Sequence, residues 1–466
     1  MISSRPHFYL LNMTLQAQNA HAIHTGHGDT THDSLVVRDA NGLPTLPGTS
    51  MAGVLRHQYQ NLYGKQQAQD LFGFAQGSAG QTSWLNVSWG LVHNSQNQAQ
   101  EGLLNTAQLQ DPLLEQLLNQ KPIVRQRVRL TDKGVTDGTG KFDTTLIPAG
   151  VRYSTCVSYW CDGSQASQTQ WQNFIDLLKN YPLRIGQGAR NGYGLFNIID
   201  LYQGHWDLRT VEGRQNYSQR PRHRSNHQGL EKLALSSTHS MVQATLNLQA
   251  ESNWRIGGGE QYLEALQDGQ RIPDLLPMHE TKVTWQGSKA SIGEQFYLLT
   301  ASAIKGALRH RVAFHYNCLT GHFVDDDSAF ETDENPAINK LFGFAKDKDG
   351  KAGVLAFHDI YLQQQQIQVD MHNKIDRYTG GVITGALFSE AVLWQSQVQI
   401  KIDILKPTAQ IDKNAKQALA LALQDLADGW LPLGASGSRG LGVFQNNGQG
   451  VVWSDAEQWM NAGEMA

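Results

Sequence analysis

Cysteine is scarce: 3 in 466 residues, at Cys156, Cys161 and Cys318. An odd, sparse count excludes a disulfide scaffold and suits a reducing compartment. Cys156 and Cys161 form no CxxC pair and no histidines stand at zinc spacing around them, so a structural zinc site is not expected. Long apolar runs are missing as well. Nothing approaches the roughly 18 apolar residues of a membrane span, and the opening MISSRPHFYLLNMTLQAQ lacks the apolar core of a signal peptide. A cytoplasmic protein is expected. Net charge is small, −4, so a nucleic-acid partner has to be met by local basic patches. Proline is low at 13 while glycine reaches 45. Abundant glycine without a collagen period points to tight turns and close backbone approaches.

What the chain does have is an internal repeat, the first thing to seek in a sequence of this length. An alternating strand runs into a glycine turn at 13–29 (MTLQAQNAHAIHTGHGD) and again at 244–260 (ATLNLQAESNWRIGGGE). A helix start follows at 46–64 (LPGTSMAGVLRHQYQNLYG) and 298–317 (LLTASAIKGALRHRVAFHYN). LFGFA occurs at 71–75 and 341–345, and a glycine-rich turn feeds a strand at 186–196 (GQGARNGYGLF) and 434–444 (GASGSRGLGVF). Arg56 and Arg309 lie 253 apart, Arg190 and Arg439 lie 249 apart, and the LFGFA blocks 270 apart. Matching order at a nearly constant offset implies two copies of one fold. The larger middle offset reads as an insertion in the second copy, where the acidic stretch Asp325 to Glu334 reads as a solvated loop. The expected division is residues 1–204, a polar basic linker at 205–239, and 240–466.

Each block suggests a physical role. Thr49 or Ser50 is placed to cap the first helix, whose stripe is Met51, Val54, Leu55 and Leu62. Thr300 or Ser302 caps the second, whose stripe is Ile304, Ala307, Leu308 and Val312. Arg56, Lys305 and Arg309 are left off the stripes, beside helix starts that attract phosphate. The glycine-rich turns resemble phosphate-cradling loops, each with an arginine inside, Arg190 and Arg439. They are not Walker loops, since no GK[ST] ends them, and the spacing does not fit a dinucleotide fingerprint. Residues 121–145 read as a protruding basic hairpin with Arg125, Arg127 and Arg129 on one strand face and Lys141 after the tip; Lys374 and Arg377 stand at its counterpart in the second copy. A charge-protected edge hairpin is the plainer reading.

Together these blocks resemble the RAMP superfamily of CRISPR-associated proteins, and most closely the backbone subunits of type III effectors. The resemblance rests on the GQGARNGYG and GSRGLG loops, on LPGTSMAGVLR with its echo TASAIKGALR, and on the hairpin ending in LIPAG. It implies an α+β fold: two tandem ferredoxin-like domains related to RNA-recognition motifs, each with a hairpin thumb. The fusion is like that of type III-D variant systems. It further implies CRISPR RNA as guide, complementary target RNA as substrate, other effector subunits as partners, and a target base pushed out by the thumb. In such subunits cleavage depends on an aspartate upstream of the helix block. In HTGHGDTTHDSLVVRDANGLPTLPGTS that pattern selects Asp33, with Val36, Val37, Arg38 and Asp39 following it and Asp29 in reserve. His24, His27 and His32 are nearby. A divalent cation, Mg2+, is expected with Asp33 as a ligand, unless Asp33 serves as general base. The second copy has no PGTS and no aspartate in a clear register among Asp268, Asp274 and Glu280, so it is expected to be inactive, with Asp274 the candidate otherwise. Arg38, Ser50, Arg56, Arg125, Arg127, Arg129, Lys141, Arg190, Lys305, Arg309, Lys374, Arg377 and Arg439 form the expected RNA-binding set. A purely structural RNA-binding subunit is the runner-up. A guide-processing nuclease using His21 or His24 is a third reading.

Overall fold

The computed structural model describes residues 4–26, 35–119, 122–131, 135–236, 241–258, 273–323, 329–330, 334–344, 350–405, 411–456 and 459, without the side chains of 137–139 and 141. In the first half, β1 (His7–Ala17), α1 (Gly48–Tyr63), β2 (Leu85–Val87), a hairpin of β3 (Ile123–Leu130) and β4 (Thr136–Leu146), β5 (Arg152–Cys161), α2 (Gln165–Asn180) and β6 (Leu195–Asp207) follow one another. Apart from the hairpin this is βαββαβ, with an antiparallel sheet in the order β6-β1-β5-β2. The second half repeats it: β7 (Gln243–Ala250), α4 (Ala301–Thr320), β8 (Leu355–His358), a hairpin of β9 (Ile367–His372) and β10 (Phe388–Trp394), β11 (Gln397–Ile404), α5 (Lys413–Ala427) and β12 (Phe444–Trp453). Its sheet runs β12-β7-β11-β8. The label α3 belongs to Val211–Ser218, between the halves.

The helix stripes hold in part. Met51, Leu55 and Tyr59 are buried on α1 at i, i+4 steps, whereas Leu62 is 39% exposed. Neither Thr49 nor Ser50 caps this helix: Pro47 occupies the cap position and starts the helix by its fixed φ, −57°. On α4 the expectation is met by Thr300, whose hydroxyl accepts from the Ala303 N–H, and Ile304, Leu308 and Val312 are buried.

The described part of the stretch read as a polar basic linker, 205–236, contains folded elements. Its first residues complete β6, and Glu231–Lys232 pairs with Gln203 and Tyr202 at the edge of the first sheet. Tyr217 of α3 meets Phe8 edge-on, with ring centroids 5.1 Å apart, and packs beside Trp160 and Trp206. Arg220 lies over the Tyr217 ring at 3.8 Å, and Arg209 pairs with Asp207. These arginines serve local packing. The result is an asymmetry between the copies. β1 is buried on both faces, whereas β7 alternates buried and half-buried residues with polar Gln243, Thr245, Asn247 and Gln249 outward.

Candidate nucleic-acid interface

The halves meet through the blocks expected to face RNA. In the glycine turn of the first half, Asn191 and Gly192 form a short parallel strand on Phe357 and His358 of the second. A side chain at Gly192 would strike Ala301 and Asp359, so glycine is required there both by contact and by its φ of +96°. Arg125 at the hairpin base is 3% exposed. It crosses the joint, donating to Glu280 and, at 2.6 Å, to Asp359. Those carboxylates hold it protonated well above its ordinary range although burial opposes the charge. Arg184 reaches Asp403 in the same way at 2.5 Å, with His358 2.8 Å from the same oxygen. Arg125 therefore leaves the RNA-facing set, and Glu280 leaves the list of catalytic candidates. Arg38 leaves too: it donates to the carbonyls of Gly42, Leu117 and Asn119 and fixes the end of the helix Pro112–Leu117.

Four other expected cations converge at this joint. Arg127 lies over the Tyr193 ring at 4.2 Å, and its Nε and Nη2 are buried without a hydrogen-bond partner. Arg190 donates to the Gly353 carbonyl at 2.9 Å. Lys305 of α4 donates to Asn191 at 2.7 Å. Burial, and then the charges of Arg309, Arg190 and Arg127, lower Lys305 to about 8. Two of the four come from each half, so only the assembled joint creates this concentration of charge. Arg56 is half-buried on α1, as is Ser50, while Arg129, Lys374, Arg377 and Arg439 are exposed. The Lys141 side chain lies outside the described residues.

The glycine geometry also corrects the alignment of the turns. Cβ atoms at Gly186 and Gly434 would strike the carbonyls of Ala22 and Arg255, and those at Gly194 and Gly442 the carbonyls of Ile185 and Leu433. Gly188 and Ser436 share a left-handed φ, +67° and +62°. Gly186 and Gly434, like Gly194 and Gly442, are 248 apart, so Arg439 corresponds to Asn191 and Arg190 to Ser438. The two arginines are not equivalents.

Both hairpins carry exposed apolar side chains. Val128, Leu130, Val135 and Phe142 of the first are 42–59% exposed, and Tyr378 at the tip of the second is 99% exposed. Asp376 shapes that second tip by accepting from the N–H groups of Tyr378 and Thr379.

Asp29, Asp33, His27, His32 and Asp268 lie outside the described residues, but the frame around their loops is described. His24 bridges Val36, Val37 N–H donates to the Ile23 carbonyl, and Thr25 N–H to Leu35. In the second half Gly257 bridges Pro277, Met278 N–H donates to Ile256, and Gly258 N–H to Leu276. Asp33 stands three residues before Val36, and Asp274 three before Pro277. Asp274, the candidate named for the second copy, thus stands at the same sequence distance from its bridge as Asp33. The Asp274 carboxylate accepts from the N–H of Ser389 at 2.7 Å and from the Ser389 hydroxyl at 2.9 Å.

The histidines divide. His21 is buried, within 2.8 Å of the Tyr153 hydroxyl, and burial lowers it to about 3. It is a neutral core residue, unsuited to general acid–base work near neutrality. Because its folded value lies below the unfolded value near 6.5, its contribution to stability is complete above pH 6.5 and falls as pH drops toward 3. Taking the protein from pH 7 to pH 5 is therefore expected to cost about 2 kcal/mol through His21. His21→Gln, measured by urea unfolding at both pH values, should flatten that dependence. His24 instead ties the glycine turn to the hairpin, meeting Gln187 and, at 3.1 Å, the Thr145 carbonyl. No group of three metal-ligating side chains is found among the described residues, and no helix there is long and apolar enough to cross a membrane.

Comparison with known proteins agrees with the duplicated geometry. A solved chain in the cryo-EM structure of the type III-B Cmr-beta complex bound to cognate target RNA is similar at 13% identity and a TM-score of 0.29. The match covers 42% of this chain and 60% of that one. No curated protein sequence matches. The family model of the RAMP superfamily matches residues 21–197 and again 247–445. The chain belongs to the RAMP superfamily, and carries its domain twice.

Proposed function

We propose that the chain is a backbone subunit of a type III CRISPR RNA-guided effector complex. In this reading two fused ferredoxin-like domains hold guide RNA, and their hairpins act as thumbs that open the guide–target duplex. Complementary target RNA is then cut at the opened step by the loop carboxylate, Asp33. A displaced base frees its sugar to bring the 2′-OH into line with the adjacent phosphate; as the 2′-oxygen bonds to phosphorus the P–O5′ bond breaks, leaving a 2′,3′-cyclic phosphate and a 5′-oxygen that takes up a proton from water. The carboxylate orients that attack, by taking the proton or by holding a divalent cation. The exposed apolar side chains of both hairpins are suited to prying a base from its stack. Core placement of His21 weighs against one of the two histidines, His21 or His24, that guide processing would use.

The observation that carries the reading is the cluster of Arg127, Arg190, Lys305 and Arg309 at the joint. Cations gathered from two halves, among them Arg127 with its Nε and Nη2 lacking a hydrogen-bond partner, suit a phosphate backbone that runs across both domains. Lys305→Met, which keeps the buried stem, is expected to weaken guide RNA binding about tenfold and to lower the salt slope by roughly one. Filter binding between 50 and 300 mM salt measures both. An unchanged slope would remove the cluster from the RNA path. Chelation with EDTA in a target-cleavage assay of the assembled complex decides whether Mg2+ takes part.

A further inference from the structure

We infer that the outer face of the first half, with Trp89 at its centre, is a docking surface for a different protein chain, and that the chain does not add head to tail to itself; only the partner's place in an effector complex rests on the function proposed above. The joint between the halves is itself a head-to-tail contact. The hairpin base and the strand before the glycine turn of the first half deliver Arg125 and Arg184, and the second half receives them on Glu280, Asp359 and Asp403. Such a contact would repeat without limit if the two ends of the chain copied the joined faces. Matched backbone pairings align the two halves and show that they do not. Leu46 bridges Gly90 as Leu299 pairs with Ile360, so Trp89 stands where Asp359 stands. The Trp160 N–H donates to the Trp84 carbonyl as the Leu405 N–H does to Val354, so Ser158 stands for Asp403. Arg38 bridges Pro44 as His279 pairs with Tyr297, which sets Asp39 at the place of Glu280.

The delivering side differs as well. The Ile185 N–H donates to the Gly194 carbonyl as the Leu433 N–H does to Gly442, so Pro432 replaces Arg184. His21 bridges Ile147 as Trp254 pairs with Leu393, and on the same return strands Thr144 lies opposite Arg125 and Glu390 opposite Asp370. Two copies laid head to tail would therefore set Asp370 against Trp89 and Asp39, and Pro432 against Ser158. The ion pairs of the joint would not form, and a carboxylate would face a carboxylate, so self-addition is disfavoured. Of Glu280, Asp359, Asp403, Lys305 and Arg309, only Glu280 and Arg309 have charged counterparts on the outer face, Asp39 and Arg56. Asp39 is occupied by the N–H groups of Asn41 and Leu43. Trp89 is 49% exposed on this charge-poor face, a composition suited to a protein interface anchored by one aromatic. The matching face of the second half is covered by protein, and Arg56 alone offers a phosphate little here. The partner that fits presents apolar or neutral groups where the joint presents Arg125 and Arg184.

The experiment places a photoreactive benzoylphenylalanine in the position of Trp89 in the full chain, assembled with guide RNA and the other effector subunits. Irradiation should link it to a subunit other than this chain, identified by mass spectrometry. A link to a second copy of this chain, a link to RNA alone, or no link overturns the inference. Trp89→Asp should weaken retention of the linked subunit at least roughly tenfold, and Trp89→Phe should keep most of it. Thermal unfolding of the free Trp89→Asp chain and its affinity for guide RNA should stay as they were, since the side chain is exposed and off the cation cluster. Unaltered retention in Trp89→Asp sinks the docking surface while leaving the effector reading in place. The unsubstituted chain alone should sediment as one species across the micromolar range. Growth into longer assemblies with concentration would show that its ends are complementary to each other and would overturn the exclusion of self-addition. An unsubstituted chain that joins no other subunit sinks the effector reading and the docking surface with it.

Discussion

Asp33→Ala is expected to slow one cut in the target RNA roughly a thousandfold, about 4 kcal/mol in barrier, while guide and target binding stay as they were. The change removes a group that acts only on the reacting step, so the loss should fall on the rate constant and not on affinity. Position argues for Asp33 over Asp29. The antiparallel frame between Ile23–Thr25 and Leu35–Val37 is matched by that between Ile256–Gly258 and Leu276–Met278. Three residues before the bridge, each copy has aspartate. Seven residues before it stands Asp29 in the first copy and Gln270 in the second, so the reserve candidate has no counterpart. Asp29→Ala in the same gel assay should leave every cut in place. Loss of the cut in Asp29→Ala with retention in Asp33→Ala would show that the loop is read in the wrong frame.

The duplication was legible because its signals are local. A glycine with a left-handed φ, a helix stripe and an alternating strand are written in consecutive residues and recur with them. The destination of each charge was not. Arg125, Arg127 and Arg129 alternate on β3, so the pattern predicts one shared face and says nothing of height along the strand. Height decides everything here: Arg125 at the base is buried in the joint, Arg127 is half-buried against Tyr193, and Arg129 is exposed. What sets that gradient is the second half, whose Asp359 lies 234 residues away in sequence. The linker misled for a related reason. Its polar composition is real, yet Tyr217 docks α3 onto the Phe8, Trp160 and Trp206 face. The equation of Arg190 with Arg439 failed because residue identity was followed, whereas the turn is defined by where a Cβ cannot stand.

Asp359→Ala is expected to destabilise the protein by about 3–5 kcal/mol, the usual result of leaving a buried charge without its partner. Asp359 has two duties. One oxygen receives the Arg125 guanidinium at 2.6 Å, and the other accepts the Ala301 N–H at 2.8 Å at the start of α4. Arg125 would retain Glu280 but lose half of its compensation in a site where its side chain is 3% exposed. Asp359→Asn separates the duties, since an amide oxygen can still accept from Ala301 while the charge is gone. It should recover part of the loss. Removing the whole network at once, with Arg125→Met, Glu280→Gln and Asp359→Asn together, should cost less than Asp359→Ala alone, because no uncompensated charge remains. Denaturant unfolding followed by tryptophan fluorescence ranks the three. The ranking bears on function through α4: the helix whose first N–H Asp359 accepts carries Lys305 and Arg309, and the strand that Arg125 anchors carries Arg127. If the joint positions the cation cluster, Asp359→Ala should also weaken guide RNA binding at protein concentrations and temperatures where the chain is still folded. The triple variant, though better folded, should bind no better than Asp359→Ala, because it also loses the Arg125–Glu280 bridge between the halves that Asp359→Ala keeps.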